Sequence, residues 1–288
     1  MFAARLAQTA AAVQAQFDLI LGPLDDLPLT RAMAHAVGGG KRLRGFLVLE
    51  SARLHQIPET QAIWPATAIE ALHAYSLVHD DLPCMDDDDL RRGQPTVHVK
   101  WDQATAVLAG DALQALAFEL LARDDVGDAA CRVALTGSLA QAAGAQGMVL
   151  GQALDIAAES TPVPLELDDI THLQRGKTGA LFEWSATVGP RMARADIGPL
   201  QDYARALGLA FQIADDILDV TGDSATVGKA TGKDANAGKA TFVSLLGLDA
   251  ATRRAEALVA DACDALSCYA GEAETLRQAA RFVIARQS

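Results

Sequence analysis

Six aspartates lie within ten residues of the chain, and two arginines follow them closely. The aspartates are Asp80, Asp81, Asp86, Asp87, Asp88 and Asp89, and the arginines are Arg91 and Arg92. Carboxylates this close repel one another, so such a cluster needs either shifted pKa values or a bound cation. Oxygen ligands favour a hard ion, and Mg²⁺ is usually held by one or two carboxylates together with substrate phosphates. The cluster therefore predicts a magnesium and phosphate site; the alternative is a solvated acidic turn.

A second acidic cluster lies far downstream, at Asp215, Asp216 and Asp219. Asp215 and Asp219 are four residues apart, so on a helix both carboxylates lie on one face. Like charges at that spacing destabilise a helix by themselves, which again favours a bound cation. We expect both clusters to hold Mg²⁺ jointly with an anionic substrate.

Two glycine-containing segments carry bases that could bind those anions. Gly38–Gly40 runs directly into Lys41, Arg42 and Arg44. Glycines let backbone N–H groups approach a ligand closely, so this segment predicts an anion site, the alternative being a helix end followed by solvated bases. Lys177-Thr178-Gly179 offers a base, a hydroxyl and a glycine inside a predicted helix, where the alternative is an ordinary kink.

Other polar residues lie on predicted helices near these segments. His73 precedes Asp80 by seven residues, which places the two within about 20° of one helix stripe. A packed core histidine and a ligand are about equally consistent with that position. Glu70 and His73 form an E-x-x-H, the element of di-iron bundles, but such bundles need two of them and we interpret this one as a coincidence. Gln152 and Asp155 are expected to line a cavity.

Helices must position all these residues. Half of the 288 residues are hydrophobic and only 5% are aromatic, and abundant Ala and Leu favour helix over sheet. We predict one all-α domain over residues 1–288. The predicted helices cover 1–21, 29–37, 45–54, 66–81, two long stretches between Thr96 and Ser160, 167–186, 200–219, and the chain from 241 onward.

Charge and cysteine usage exclude several classes of partner. The net charge of −13 argues against nucleic acid and anionic membrane surfaces. Four cysteines without metal-ligand spacing predict free thiols in a reducing cytoplasm. We find no uninterrupted apolar run of about 18 residues and no signal-peptide pattern, so we expect no membrane span.

In this order the motifs resemble those of short-chain trans-isoprenyl (polyprenyl) diphosphate synthases, most closely the bacterial farnesyl diphosphate synthases. The resemblance covers nearly the whole chain and rests on Gly39–Arg44, His73–Pro83, Arg91–Gly93, Lys177–Gly179 and Phe211–Asp219. One departure is Gly45, where the family commonly has proline. The resemblance implies an all-α isoprenoid synthase bundle of about ten helices around a central cavity, usually a homodimer.

The resemblance also implies a role for each motif residue. The metal ligands would be Asp80, Asp86 and Asp215, supported by Asp81, Asp216 and Asp219, around three Mg²⁺ ions. The allylic diphosphate would be bound by Arg91, Lys177, Thr178, Gln212, Lys229 and Lys239, of which Lys177, Thr178, Gln212 and Lys229 are catalytic. The isopentenyl diphosphate would be bound by Lys41, Arg44, His73 and Arg92.

The implied activity is the magnesium-dependent condensation of isopentenyl diphosphate with dimethylallyl and geranyl diphosphates. In the family, residues four and five before the first aspartate control product length, here Ser76 and Tyr75. A tyrosine there implies a C15 farnesyl product, and geranyl or geranylgeranyl diphosphate is the alternative. For Tyr75 itself the alternative is an ordinary core aromatic whose hydroxyl finds a partner. Alternatives from other classes are a class I terpene cyclase and a non-catalytic synthase subunit, but both aspartate motifs are intact.

Overall fold

The computed structural model describes residues 1–160, 165–221 and 240–285. Within these ranges the chain forms fourteen α-helices, two of them only four and five residues long, and one hairpin of two-residue strands. The predicted all-α class is confirmed. Contacts divide the chain into two compact units: unit 1 is Met1–Gly137 with Val188–Ala195, and unit 2 is Ser138–Thr187 with Asp196–Ser288. The single domain over 1–288 remains a prediction.

The elements follow one another in a simple order. The N-terminal ones are α1 (Phe2–Leu21), α2 (Pro28–Ala36), α3 (Leu43–Leu54), α4 (Glu59–Asp80), β1 (Leu90–Arg91), β2 (Gln94–Pro95), α5 (Val97–Lys100) and α6 (Gln103–Ala122). The later ones are α7 (Ala129–Ala143), α8 (Met148–Ser160), α9 (Leu167–Gln174), α10 (Ala180–Ala193), α11 (Gly198–Thr221), α12 (Phe242–Leu246), α13 (Leu248–Ala265) and α14 (Glu274–Ala285).

In unit 1, α4 is the central helix and packs against both α3 and α6. Its middle is apolar on nearly all sides, which is the pattern of a helix enclosed by others. Ile69 and Leu72 are fully buried there, facing a core that includes Phe46 and Leu113. The C-terminal end of α4 carries the first acidic cluster, so a rigid core helix supports it.

In unit 2, α11 takes the corresponding place and packs against α13 and α14. Ile213 and Ile217 of α11 cluster with Phe242 of α12, and all three are buried. Tyr203 is fully buried and its hydroxyl donates to the carbonyl oxygen of Leu276 at 2.9 Å. The second acidic cluster again lies toward the end of a well-packed helix.

Two long helices are predicted between Thr96 and Ser160: α6 confirms the first, whereas the second is divided into α7 and α8. A short 3₁₀ turn and Gly127, at φ +149°, end α6, and Asp128 then accepts the N–H of Cys131 at 2.8 Å to begin α7. Between α7 and α8, a side chain at Gly147 would lie 2.0 Å from the carbonyl oxygen of Ala142. This tight turn therefore requires glycine.

Helix α6 is the one helix among the described residues that is long and apolar enough to cross a membrane. Length and composition alone do not distinguish a membrane span from a core helix. Helix α6 packs along α4, and a side chain added at Gly110 would meet the His79 imidazole at 2.1 Å. Its partly buried face is therefore used in packing within unit 1.

Candidate active site

The loop after α4 folds back so that the first and third aspartates of the motif become neighbours. The N–H of Asp86 donates to the carbonyl oxygen of Asp80 at 2.9 Å, and the N–H groups of Met85 and Asp87 both donate to Leu82 at 2.8 and 3.2 Å. Asp87 reverses the chain with φ at +50°. Backbone hydrogen bonds thus bring Asp80 and Asp86 together although six positions separate them.

Asp81 has a different environment from its neighbours. Its carboxylate is buried, only 3% of the residue is exposed, and it accepts a hydrogen bond from Arg91 Nε at 2.6 Å. Burial raises the pKa of Asp81 above its ordinary value, and Arg91 offsets part of that increase. Arg91 also reaches Asp88 at 3.4 Å. Asp81 therefore fixes an arginine within the acidic loop.

The two arginines lie on a tight hairpin. Leu90 pairs with Pro95 and Arg91 with Gln94, and the turn residues Arg92 and Gly93 have φ of +54° and +74°. Positive φ at both central positions is the geometry of a tight two-residue hairpin turn. Arg91 therefore lies on a strand and Arg92 at its tip.

Arg92 connects this hairpin to the glycine-rich loop. Its Nη1 donates to the carbonyl oxygens of Gly38 and Gly39, each at 3.2 Å. A side chain added at Gly40, which has φ +88°, would lie 2.6 Å from the Arg92 guanidinium carbon. The backbone conformation therefore favours glycine at position 40, and a side chain there would displace the Arg92 guanidinium.

His73 lies in the positive field of this region. Its pKa is well below the ordinary value because of burial, and then because of the charges of Arg44, Arg92, Arg91 and Arg42. The imidazole is therefore neutral at pH 7. The structure brings Arg44, Arg92 and His73 into one electrostatic neighbourhood, as the sequence predicted, while Lys41 lies at the surface of the same loop.

In unit 2, Lys177 and Thr178 belong to a π-helical turn, Arg175–Gly179, between α9 and α10. The Nζ of Lys177 lies 2.6 Å from Asp155 Oδ2, with side chains 26% and 15% exposed. The interruption predicted at this point is thus a wide helical turn, a form that recurs at functional sites. An acidic side chain of α8 holds the lysine.

Glycines explain why the chain widens there. A side chain at Gly151 of α8 would lie 2.0 Å from the backbone nitrogen of Lys177, and one at Gly208 of α11 would lie 3.3 Å from Gly179. Helices α8 and α11 therefore each approach the backbone of the turn at a glycine, α8 at Gly151 and α11 at Gly208. The interior glycine at 151 therefore serves close packing.

Thr178 begins a chain of hydrogen bonds that ends at α12. Thr178 Oγ1 donates to Gln212 Oε1 at 3.4 Å, and Gln212 Nε2 donates to Asp216 Oδ1 at 3.1 Å. The other oxygen of Asp216 accepts the N–H of Phe242 at 2.8 Å. Asp216, only 6% exposed, thus connects the π-helical turn through α11 to the first turn of α12.

Asp215 and Asp219 lie one turn apart on α11 and are partly exposed. Among the described residues, no three His, Cys, Asp or Glu side chains stand close enough to form a ready metal site. Oxygen donors occur as neighbouring pairs instead, namely Asp80 with Asp86 and Asp215 with Asp219. Such pairs suit an ion whose remaining ligands are waters and substrate phosphates.

Tyr75 is buried near the end of α4, with 7% of its surface exposed. Its ring meets the His79 imidazole edge to face at 5.3 Å, and its hydroxyl bonds to the side chain of Gln114. Burial and then the charge of Asp80 raise the pKa of Tyr75. Ser76 donates to its own helix, at the carbonyl oxygen of His73.

Two carboxylates have a larger part in the structure than the sequence suggested. Asp155, expected to line a cavity, is the partner of Lys177. Glu70, whose motif we took as a coincidence, is 2% exposed and accepts the N–H of Gly45 at 2.8 Å. A single acid within the apolar run from Ala66 to Leu72 was the available signal, because a buried carboxylate needs a partner. Lys229 and Lys239 lie outside the described residues.

Residues 27–277 match the family model for polyprenyl synthetases. The chain belongs to the polyprenyl synthetase family. It is 44% identical to farnesyl diphosphate synthases of Escherichia coli, over 92% of this chain and 91% of that protein, and of Haemophilus influenzae, over 96% and 94%. A solved structure described as an FPP/GFPP synthase from Zymomonas mobilis has a TM-score of 0.91 and 46% identity, covering 98% of both chains.

Membership of this family confirms the predicted chemistry. The protein is a prenyltransferase, and the reaction of polyprenyl synthetases is the condensation of isopentenyl diphosphate with allylic diphosphates. The terpene cyclase and the non-catalytic subunit are thereby set aside. The roles of individual residues remain predictions.

Proposed function

We propose that this chain makes farnesyl diphosphate by adding isopentenyl diphosphate first to dimethylallyl and then to geranyl diphosphate. The observation that carries the proposal is the buried ring of Tyr75, held against His79 and Gln114 within two helical turns of Asp80. By the family resemblance, the residue five positions before the first aspartate would stop a chain that grows from a diphosphate bound at Asp80. The names of the Escherichia coli and Haemophilus influenzae relatives support the same product.

The residues fit a divalent cation in an oxygen-only site. Asp80 with Asp86 and Asp215 with Asp219 would hold Mg²⁺ together with substrate phosphates. Bound Mg²⁺ would neutralise the negative charge that the departing diphosphate acquires. Asp81 and Asp216 have protein partners at 2.6 Å and at 3.1 and 2.8 Å, so in this proposal they position Arg91 and Gln212 instead of serving as ligands.

The allylic diphosphate is assigned to the bases near both clusters. These are Arg91, Lys177, Thr178 and Gln212, together with Lys229 and Lys239 of the segment outside the described residues. Lys177 is held by Asp155 at 2.6 Å, so its charge has a fixed position before substrate binds. A preorganised positive charge stabilises the leaving group without any rearrangement during the reaction.

The isopentenyl diphosphate is assigned to Lys41, Arg44, His73 and Arg92. The depressed pKa of His73 is consistent with this assignment, because after burial its causes are the positive charges of Arg44, Arg92, Arg91 and Arg42. A diphosphate there would offset their mutual repulsion. The neutral imidazole can then donate one hydrogen bond without adding charge.

Catalysis in this proposal is electrostatic. Fixed cationic side chains stabilise the leaving diphosphate as the allylic C–O bond ionises, and the double bond of isopentenyl diphosphate attacks the resulting cation. The condensed product then loses a proton to the released diphosphate, so no side chain at either cluster needs to accept that proton. Apolar side chains around the site would keep water from the cation.

We also propose that the protein acts in the cytoplasm as a homodimer. The exposed apolar side chains of α6, Val107 at 41% and Leu108 at 56%, support an interface on that helix. Sedimentation velocity on the purified chain tests this assembly, and a monomer at micromolar concentration would contradict it.

Product analysis tests the main proposal. The purified protein is incubated with labelled isopentenyl diphosphate, Mg²⁺ and each allylic primer, and product length is measured by chromatography. Wild type should stop at C15, while Tyr75→Ala should give C20 or longer products and Tyr75→Phe should keep C15. C20 or C25 products from the wild type would replace farnesyl by a longer product. C15 from a folded, active Tyr75→Ala variant would remove Tyr75 as the stop.

A further inference from the structure

The loop between α2 and α3 is anchored by an arginine that points into the protein. Arg42 has φ +53° and is 4% exposed, in contrast to Lys41 beside it. Its Nη2 donates to Gln14 at 3.2 Å and to the carbonyl oxygen of Val37, and its guanidinium lies 5.4 Å from the Phe17 ring. The middle base of the predicted anion site is thus a structural residue.

Glu70 is the carboxylate that balances this charge. Its Oε2 lies 3.4 Å from Arg42 Nη1, with both side chains at most 3% exposed. Its Oε1 accepts the N–H of Gly45, one of the first-turn donors of α3 that have no partner within the helix. One buried carboxylate therefore holds Arg42 and Gly45, which flank Arg44, and Lys41 directly precedes the first of them.

The opposite side of the same segment is held by a residue of the site itself. Arg92 donates to Gly38 and Gly39, and its guanidinium packs on Gly40. The loop therefore has one anchor in the core, at Glu70, and one at the hairpin. Arg92, the anchor at the hairpin, adds to the positive field that faces His73, whereas Glu70 itself carries a negative charge.

We propose that Glu70 is a positioning residue for the isopentenyl diphosphate site. Through Arg42 and Gly45 it fixes the backbone on which Lys41 and Arg44 are carried. This inference rests on the proposed assignment of those two bases to isopentenyl diphosphate. It also assigns a role to each residue of the Glu70–His73 motif. Glu70 holds the loop from its buried side, and His73, one turn further along α4, faces the anion.

Glu70→Gln separates positioning from electrostatics. The amide keeps the size of the side chain and an acceptor for the Gly45 N–H, but it leaves the Arg42 charge unbalanced in the interior, which strongly disfavours the native loop. We expect the KM for isopentenyl diphosphate to rise about tenfold or more, because binding must then reorder the loop. The KM for geranyl diphosphate and kcat at saturating substrates should stay within about twofold. A direct charge effect predicts the opposite sign, since removing a negative charge near an anion site lowers KM.

Glu50→Gln is the matched control. Glu50 is equally buried, at 1% exposed, and lies on α3, where Arg5 and Arg53 hold it at 2.8 and 3.1 Å. Both substitutions should lower Tm, but only Glu70→Gln should change the KM for isopentenyl diphosphate. If Glu70→Gln does not fold, the double variant Glu70→Gln with Arg42→Met removes both buried charges and still leaves the loop without its anchor, so its KM should also be raised.

The outcomes separate this inference from the function on which it rests. A wild-type protein without condensing activity would overturn the proposed function itself. With an active wild type, equal KM changes in the Glu70 and Glu50 variants would reduce Glu70 to a general stabilising role. A lowered KM in the Glu70 variant would likewise overturn positioning.

Discussion

Gly151 of α8 offers a direct test of how closely the lysine turn is packed. An alanine there would place its Cβ 2.0 Å from the Lys177 nitrogen and 2.6 Å from its Cα, whereas an ordinary contact needs at least 3.4 Å. Both opposing atoms belong to the backbone, so no side chain can rotate away. The turn must therefore move by about 1.4 Å, carrying Lys177 and Thr178 with it.

Two magnitudes follow for Gly151→Ala. Overpacking of this kind costs about 1–3 kcal/mol of folding free energy. A displacement of about 1 Å at a reacting centre can cost on the order of a hundredfold in rate. We therefore expect kcat to fall by about that factor and Tm to fall by several degrees, as measured by steady-state kinetics and thermal unfolding.

Gly137→Ala is the control, because Gly137 lies inside α7 and has nothing within 4 Å of the added methyl group. Relief of glycine's helix penalty should raise stability by up to about 1 kcal/mol there, with kcat unchanged. Wild-type kcat and Tm in Gly151→Ala would refute the close packing. Equal losses in both variants would show that the contact with Lys177 is not responsible, because Gly137→Ala creates no such contact and should gain helix stability.

Three further predictions concern charged groups. Asp80→Ala and Asp215→Ala should each remove most turnover at saturating Mg²⁺ while circular dichroism stays unchanged; near-normal turnover in either would contradict the metal assignment. Asp155→Asn should lower kcat/KM for geranyl diphosphate about tenfold, since Lys177 loses its orienting charge, with the KM for isopentenyl diphosphate unchanged in the same assay. The pKa of His73, followed by NMR, should rise when inorganic diphosphate is added. A pKa of His73 that does not change on addition of diphosphate would contradict an anion site there. As pH falls, His73 is protonated in the unfolded chain before it is protonated in the folded protein. Its contribution to folding stability is therefore complete above about pH 6.5 and is lost as pH falls below that value.

The local pattern of the chain predicted most elements but not their breaks. Helix α1 begins within one residue of the expected 1–21, because its apolar spacing and Gly22 define both ends. The second long helix predicted before Ser160 contains no proline, yet the turn at Gly147, whose constraint is tertiary, divides it into α7 and α8. The clash at Gly147 arises only once the chain has turned, so no local pattern reports it.

Residue type predicted the chemistry of the site better than the direction of each side chain. Arg42 and Arg44 are two positions apart in one basic run, but a left-handed backbone at Arg42 turns it toward Glu70. That distinction depends on a partner 28 residues away. The pairing of Lys177 with Asp155 likewise depends on how two helices pack, which spacing along the chain does not determine.

The hydrogen bond between the Asp86 N–H and the Asp80 carbonyl fixes the geometry of the acidic loop independently of the side chains between these two residues. Backbone atoms close this turn, so the exposed side chains of Pro83 and Cys84 between the two aspartates do not hold it together. Changes of side chain there are tolerable, whereas a change of one residue in length would open the closure and part the two carboxylates. A spectroscopic label can therefore be attached to Cys84, next to the proposed metal ligands. Because backbone atoms close the turn, the label would not itself change the separation of Asp80 and Asp86.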